Sequence, residues 1–351
     1  MKLSNCIEII SGGTPSTSKS NFWDGDIPWI SIKDFNNSFK YIYKTEKSIT
    51  KQGLEKSSTN MLYKNDIIIS ARGTVGCLAQ IYYPMAFNQS CYGIRTINKD
   101  LMQNYLYYWL IANIDKFKKQ THGAVFDTIT KSTFDNIEIN YPSLVMQQHI
   151  VDIIGSLDDK IENNNKIIEK LWQKLQLVHT DFKSKNELVE KNILELADIK
   201  YGKGIPTSEI LKDGLYSVYG SNGIIGYLNN YTFKEHKIAI SCRGNSSGII
   251  HLTDENSTVT SNSLVLDFKN FDYTYYFFLE FMYKGLYEYK TGSAQPQITI
   301  DNLKILNLQV PKNINDYIKN INDSVEYTFC LKKENQKLFL LKQFYLKKFF
   351  G

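Results

Sequence analysis

Residues 66–73, Asp-Ile-Ile-Ile-Ser-Ala-Arg-Gly, return 171 residues later at 237–244 as Lys-Ile-Ala-Ile-Ser-Cys-Arg-Gly. Each is an apolar, β-like run that stops at Ser-x-Arg-Gly. Each continues through Thr74-Val75-Gly76 or Asn245-Ser246-Ser247-Gly248 into a second apolar run. The surrounding features recur in the same order. Ile7-Glu8-Ile9-Ile10 followed by Gly12-Gly13-Thr14-Pro15-Ser16 matches Ile193-Leu194-Glu195-Leu196 followed by Gly204-Ile205-Pro206-Thr207. Gln89-Ser90 matches Asn262-Ser263, and an aromatic helix candidate at 105–117 matches one at 273–286. A polar loop at 118–127 matches one at 289–297. The alternating run 137–142, which stops at Pro142 as a closing strand would, matches 306–311 at an offset of 169. The chain is one unit of about 170 residues written twice, which restricts the fold to two similar β-rich bodies.

Each unit ends in a long helix. In the first, apolar residues fall at Ile150, Ile154, Leu157, Ile161, Ile168, Leu171, Leu175, Val178 and Phe182, and Asn164 breaks the series. Alternating steps of four and three make the a/d seam of a coiled coil. Sliding this seam by 171 residues gives Ile321, Val325, Thr328, Lys332, Asn335, Phe339, Lys342, Leu346 and Phe349, so Asn335 falls where Asn164 does. Two such helices can bury their stripes against each other, the paired asparagines selecting register at some cost in stability. The alternative is that each helix packs on its own unit and both asparagines are solvated. The expected fold is α+β: two β-rich domains related by a pseudo-two-fold and joined by two long helices in an antiparallel coiled coil. The expected boundaries are 1–145 and 188–311 for the domains, and 146–187 and 312–351 for the helices. Ile153, Ile167 and Trp172 lie off the seam, and their exposure would favour a partner chain over the long helix.

Composition narrows the function. No apolar run approaches the ~18 residues needed to cross a bilayer, so no membrane partner is expected. The five cysteines are scattered and odd in number, which argues for a reducing, cytoplasmic setting without a disulfide framework. The five histidines do not cluster, no Cys-x-x-Cys occurs, and no metal is expected. His149 and His179 are read as surface or seam-flanking. Gly220, Gly223 and Gly226 match neither phosphate-binding fingerprint and read as turn glycines. The net charge of +5 is too mild for a protein that wraps DNA by bulk charge. Only three basic residues are arginine, and two of them, Arg72 and Arg243, occupy matched places. Two similar units at fixed spacing suit a target with two half-sites, as symmetric DNA readers do. Because the loop sets differ, that target is bipartite and asymmetric.

With these motifs in this order, the chain resembles the specificity subunit of type I restriction–modification systems. The likeness is carried by Gly-x-Pro near each unit's start, the run 68–76, Asn88-Gln89-Ser90 and the run 219–227. To these add the stretch from Pro142 through Gln147-Gln148 to Leu157-Asp158-Asp159-Lys160-Ile161-Glu162. It covers essentially the whole chain. The resemblance implies two target-recognition domains that bind double-stranded DNA, and helices that dock two methyltransferase subunits. Those subunits carry S-adenosylmethionine and flip the target adenine; for restriction, translocating nuclease subunits join. It implies no catalytic residue and no cofactor in this chain. The start of the second helix, Lys312-Asn313-Ile314-Asn315-Asp316, departs from the family's acidic-Gln opening.

Arg72 and Arg243 can bridge phosphates, fork onto guanine or clamp backbone carbonyls. Because both units keep them, a shared phosphate or structural role is preferred. Base reading is expected where the units differ: Thr14, Ser16, Lys19, Lys119, Thr121 and His122 in the first. In the second the candidates are Lys203, Thr207, Tyr219, Ser221, Asn222, Asn245, Ser246, Gln295 and Gln297. Two other readings are open: a self-contained DNA methyltransferase and a free-standing tandem DNA-binding scaffold. Against the former, none of the seven prolines is adjacent to another, so the Asn/Asp-Pro-Pro-aromatic loop of amino-methyltransferases is missing.

Overall fold

In both halves of the chain, the apolar runs on either side of Ser-x-Arg-Gly become neighbouring strands of one sheet. The computed structural model describes residues 1–35, 39–121, 128–282, 284–292 and 295–351, the side chains at 120, 121 and 316 excepted. The chain divides into unit 1, Met1–Lys166 with Lys332–Gly351, and unit 2, Ile167–Leu331. Among the described residues, no helix is long and apolar enough to cross a membrane.

Unit 1 begins with β1 (Ile7–Ser11), β2 (Trp23–Ile30), β3 (Tyr41–Ile42), β4 (Lys47–Ile49), α1 (Lys51–Glu55) and β5 (Met61–Leu62). It continues with β6 (Ile67–Ser70), β7 (Leu78–Ile81), β8 (Met85–Phe87), β9 (Cys91–Thr96), α2 (Gln103–Thr121), α3 (Lys131–Asp135) and the first half of α4 (Leu144–Lys185). Unit 2 takes the rest of α4, then β10 (Leu188–Asn192), α5 (Ile193–Leu196), β11 (Ala197–Tyr201), β12 (Tyr216–Gly220) and β13 (Gly223–Leu228). After these come β14 (Ile238–Ser241), β15 (Ile250–Leu252), β16 (Thr258–Val259), β17 (Ser263–Phe268), α6 (Asp272–Phe281), α7 (Ile300–Lys304) and β18 (Asn307–Pro311). The last helix, α8 (Asn315–Phe350), starts in unit 2 and ends in unit 1.

The main sheets share one strand order: β1-β9-β6-β7, extended by β3, and β11-β17-β14-β15. In each, the repeated apolar strand, β6 or β14, is central and buried at all four residues. A strand covered on both faces needs an unbroken apolar run, which is why Ile67-Ile68-Ile69 and Ile238-Ala239-Ile240 do not alternate with polar residues. The second sheets also correspond, β2 pairing parallel with β8 as β12 does with β16. The short helices α3 and α7 open on the same capping box, Thr130 with Thr133 and Thr299 with Asn302. The closing strand differs. β18 pairs over five residues with β10, whereas 137–142 makes only a Lys2–Glu138 bridge, because residues 1–3 are its backbone partners.

Within each unit the halves of α4 and α8 run antiparallel. In unit 1, Asn164 is fully buried, and its Nδ2 donates to Asn335 Oδ1 and Glu334 Oε2, both at 2.8 Å. Asn335 in turn donates to Asn165 Oδ1 at 2.8 Å, and Lys342 reaches Asp158 Oδ1 at 2.5 Å. In unit 2, Trp172, Leu175, Val178 and Phe182 of α4 pack in one core with Tyr317, Ile318, Ile321, Val325 and Phe329 of α8. Three expectations need correction. The slid seam fails at Phe339, which is 52% exposed, while Leu338 turns partly inward. After Asn335 the step is three residues to Leu338 and then four to Lys342, so the stripe leaves the slid seam for one position and rejoins it at Lys342 and Leu346. Trp172 is covered by its own unit, its ring 5.4 Å from Phe278, and says nothing about a partner chain. His179 flanks the seam but is buried, not at the surface: its ring nitrogens meet Tyr317 Oη and Glu280 Oε2, each at 2.9 Å.

Candidate nucleic-acid interface

In unit 1, β1 and β6 end and β9 begins at the same edge of the main sheet, since Ser11 pairs with Tyr92 and Ser70 with Cys91. The turn after β6 is fixed by Ser70, whose hydroxyl donates to Thr74 O at 2.5 Å and accepts from Cys77 N at 2.8 Å. Gly73 and Gly76, at φ +75 and +87, supply the left-handed residues this tight return needs. Three further segments converge here. Ala71 N and Arg72 N both donate to Ser90 O; Thr14 Oγ1 donates to Gln89 Oε1; Ile129 N donates to Ala71 O at 3.0 Å. Arg72 and Gln89 stand exposed at this tip, and the Lys118 chain lies against Gly76.

Unit 2 builds the same tip. Tyr201 pairs with Leu264 and Ser241 with Ser263, so β11, β14 and β17 meet at one edge. Gly244 and Gly248, at φ +70 and +92, repeat the left-handed pair with one residue more between them. Ser241 Oγ donates to Ser221 O, Ser246 Oγ to Asn222 Oδ1 at 2.5 Å, and Ser221 Oγ to Asn262 O at 3.2 Å. Gly244 N and Ser247 Oγ both donate to Pro296 O at 2.9 Å, and Arg243 bridges to Gln297. Lys203 is tied in through Ser261, whose N donates to Lys203 O at 3.0 Å. Lys203, Asn222, Arg243, Asn245, Gln295 and Gln297 are all exposed. Because Ser246 occupies Asn222 Oδ1, the carboxamide keeps its two N–H donors for outside acceptors. The arrangement offers arginine and lysine for phosphate and a set of amides and hydroxyls for base edges.

The chain matches the family described as "Type I restriction modification DNA specificity domain" over residues 1–173 and again over 185–342. It belongs to that family. It is 35% identical over 178 residues to the MjaIX specificity subunit of Methanocaldococcus jannaschii, covering 48% of this chain and 40% of that one. It is 30% identical over 171 residues to the HindI specificity subunit of Haemophilus influenzae, covering 46% and 36%. These matches thus span less than half of either relative's length. In fold it is similar to the type I restriction–modification S subunit of M. genitalium, with a TM-score of 0.62 at 17% identity. That match covers 100% of this chain and 95% of the other.

Of the fifteen residues expected to read bases, Thr14 lies at the unit 1 tip, and Lys203, Ser221, Asn222, Asn245, Ser246, Gln295 and Gln297 lie at the unit 2 tip. Tyr219 does not. It is buried on β12 beside Val259 and Val265, and its hydroxyl accepts from Asp254 N at 3.1 Å. Burial first, then the nearby Asp254 carboxylate, pushes this phenol's pKa up, and it is a core residue. Ser16 and Lys19 lie one turn away from the unit 1 tip: Ser16 O accepts from Trp23 Nε1, and Lys19 sits over Phe22. Thr207 opens an exposed turn at 207–209. Lys119 is exposed near the end of α2, and the Thr121 side chain and His122 lie outside the described residues. Gln89 and Asn262 are additions. Both stand exposed at matched tip positions, and their recurrence before Ser90 and Ser263 is the sequence signal that marks them.

Proposed function

We propose that the chain is the DNA-recognition subunit of a type I restriction–modification complex. Residues 1–145 and 188–311 each read one half of a split, asymmetric duplex target. Residues 146–187 and 312–351 dock two methyltransferase subunits, which supply S-adenosylmethionine and carry out adenine methylation. Nuclease subunits join the same complex for restriction, and the chain works in the cytoplasm without catalytic residues of its own. The observation that carries this reading is the pair of tips, which have the same scaffold but different exposed polar side chains. A conserved frame with divergent readers is what two different half-sites require. Family membership and the names of the relatives support it.

The test is a methylation map of host DNA with the gene intact and disrupted. Loss of a single split motif carrying N6-methyladenine on both strands is the expected result and also gives the target. A map unchanged by the disruption, in a strain where the partner methyltransferase is expressed, overturns the reading in favour of a free-standing DNA-binding scaffold.

A further inference from the structure

Next to the ends of β6 and β14 away from the tip, each unit holds an ion pair in the same ladder position with its two signs exchanged. In unit 1, Asp66 accepts from Arg95 Nε at 2.9 Å and Nη2 at 2.6 Å, and Glu8 lies 3.4 Å from Arg95 Nη1. In unit 2, Lys237 takes the place of Asp66 and Asp267 that of Arg95. Asp267 receives Lys237 and Lys200, each at 2.7 Å. Burial alone would raise the Asp267 pKa, but the hydrogen bonds from Lys200 and Lys237 outweigh it and hold the carboxyl below its ordinary value. Glu235 also pairs with Lys237 at 3.3 Å, so the charges of the unit 2 network balance, whereas Asp66, Arg95 and Glu8 of unit 1 leave one negative charge.

In unit 2 this network floors a groove of about 440 Å³ that runs beside β11, with Tyr201, Lys203, Phe233 and Lys234 among its walls. Its two carboxylates, Asp267 and Glu235, are already taken by Lys200 and Lys237. Among the described residues, Lys203 and Lys234 have no ion pair, and both are exposed. Lys203 also belongs to the tip, so the groove is continuous with the surface assigned to base reading.

We propose that this groove is a phosphodiester site, in which Lys203 and Lys234 hold the backbone of the duplex that flanks the half-site read by unit 2. The assignment rests on the DNA-recognition reading and adds an asymmetry to it. Unit 2 contributes sequence-independent phosphate contacts that unit 1, with an acidic network in the corresponding place, does not.

Lys234 is the clean probe, because its side chain is exposed and the Asp267 network stays intact without it. The full-length chain and its Lys234→Ala and Lys234→Glu variants are titrated with a random-sequence duplex of about 30 base pairs over roughly 50 to 200 mM salt. The expected result is a plot of log affinity against log salt that is shallower by about 0.9 for Lys234→Ala, with equal loss on every duplex tested. Unchanged slopes in both variants, with the wild-type chain binding duplex normally, overturn the groove and leave the DNA reading standing. A wild-type chain that binds no duplex overturns both. Saturable binding of inorganic phosphate at constant ionic strength, lost in Lys234→Glu while the duplex slope stays unchanged, makes it a free-phosphate site and overturns the backbone assignment.

Discussion

Single side chains decide how α4 is anchored in unit 2. His179 presents one ring nitrogen to Tyr317 and the other to Glu280, and Lys183 closes the group with Nζ at 2.6 Å from Glu280 Oε2. The His179 hydrogen bond, joined by Lys183 and opposed by burial, holds the Glu280 carboxyl at about 2. A carboxyl depressed on folding contributes stability that is present above its unfolded pKa and lost as pH falls through the folded one. The window therefore runs from about 4.5 down to about 2, and the contribution is on the order of 3 kcal/mol. Glu280→Gln should flatten the dependence of denaturant midpoint on pH across that window. An equally steep profile in the variant would show that other carboxylates set it. None of this is visible in the sequence, where His179 and Glu280 stand 101 residues apart.

At the scale of elements, the helix pair turns on Asn164. Its Nδ2 satisfies two acceptors on α8, yet its Oδ1 is buried without a hydrogen-bond partner. An orphan acceptor costs about 1–3 kcal/mol. Asn164→Leu removes it and leaves Glu334 with Lys160 at 3.6 Å and Asn335 with Asn165. The expected outcome is a higher melting temperature, by about 2–4 °C per kcal/mol gained, with looser helix register. Looser register would appear as relaxed spacing between methylated half-sites; unchanged melting together with unchanged spacing would sink the idea. The a/d periodicity of α4 was readable because nine of its ten seam positions, all but Asn164, are apolar. That of α8 was not, because Thr328, Lys332, Asn335 and Lys342 dilute it and Phe339 points outward.

For the whole molecule, the central question is whether each unit reads on its own. Each tip is closed by backbone and side-chain bonds within its own unit, so the contacts that shape one loop set do not involve the other. Replacing residues 1–145 with the corresponding stretch of another family member should therefore change one half of the methylated motif. The other half and the target strand polarity should be retained. Changes in both halves would show that the units are coupled in recognition.

The sequence by itself determined the duplication, the strand candidates, the helix seam of α4 and the loops that gather at each tip. Repeats and apolar periods are local properties, and burial on one or two faces writes them directly into the residue order. Only the tertiary structure decided that Tyr219 is core, that Trp172 is covered from within, and that the seam of α8 steps by three after Asn335. It alone brought Asp66 to Arg95 and Lys237 to Asp267, and so revealed that the two units invert one ion pair. Those outcomes depend on which faces meet across long separations, and a charge or a ring reads the same in sequence whether its partner waits in the fold or in solvent.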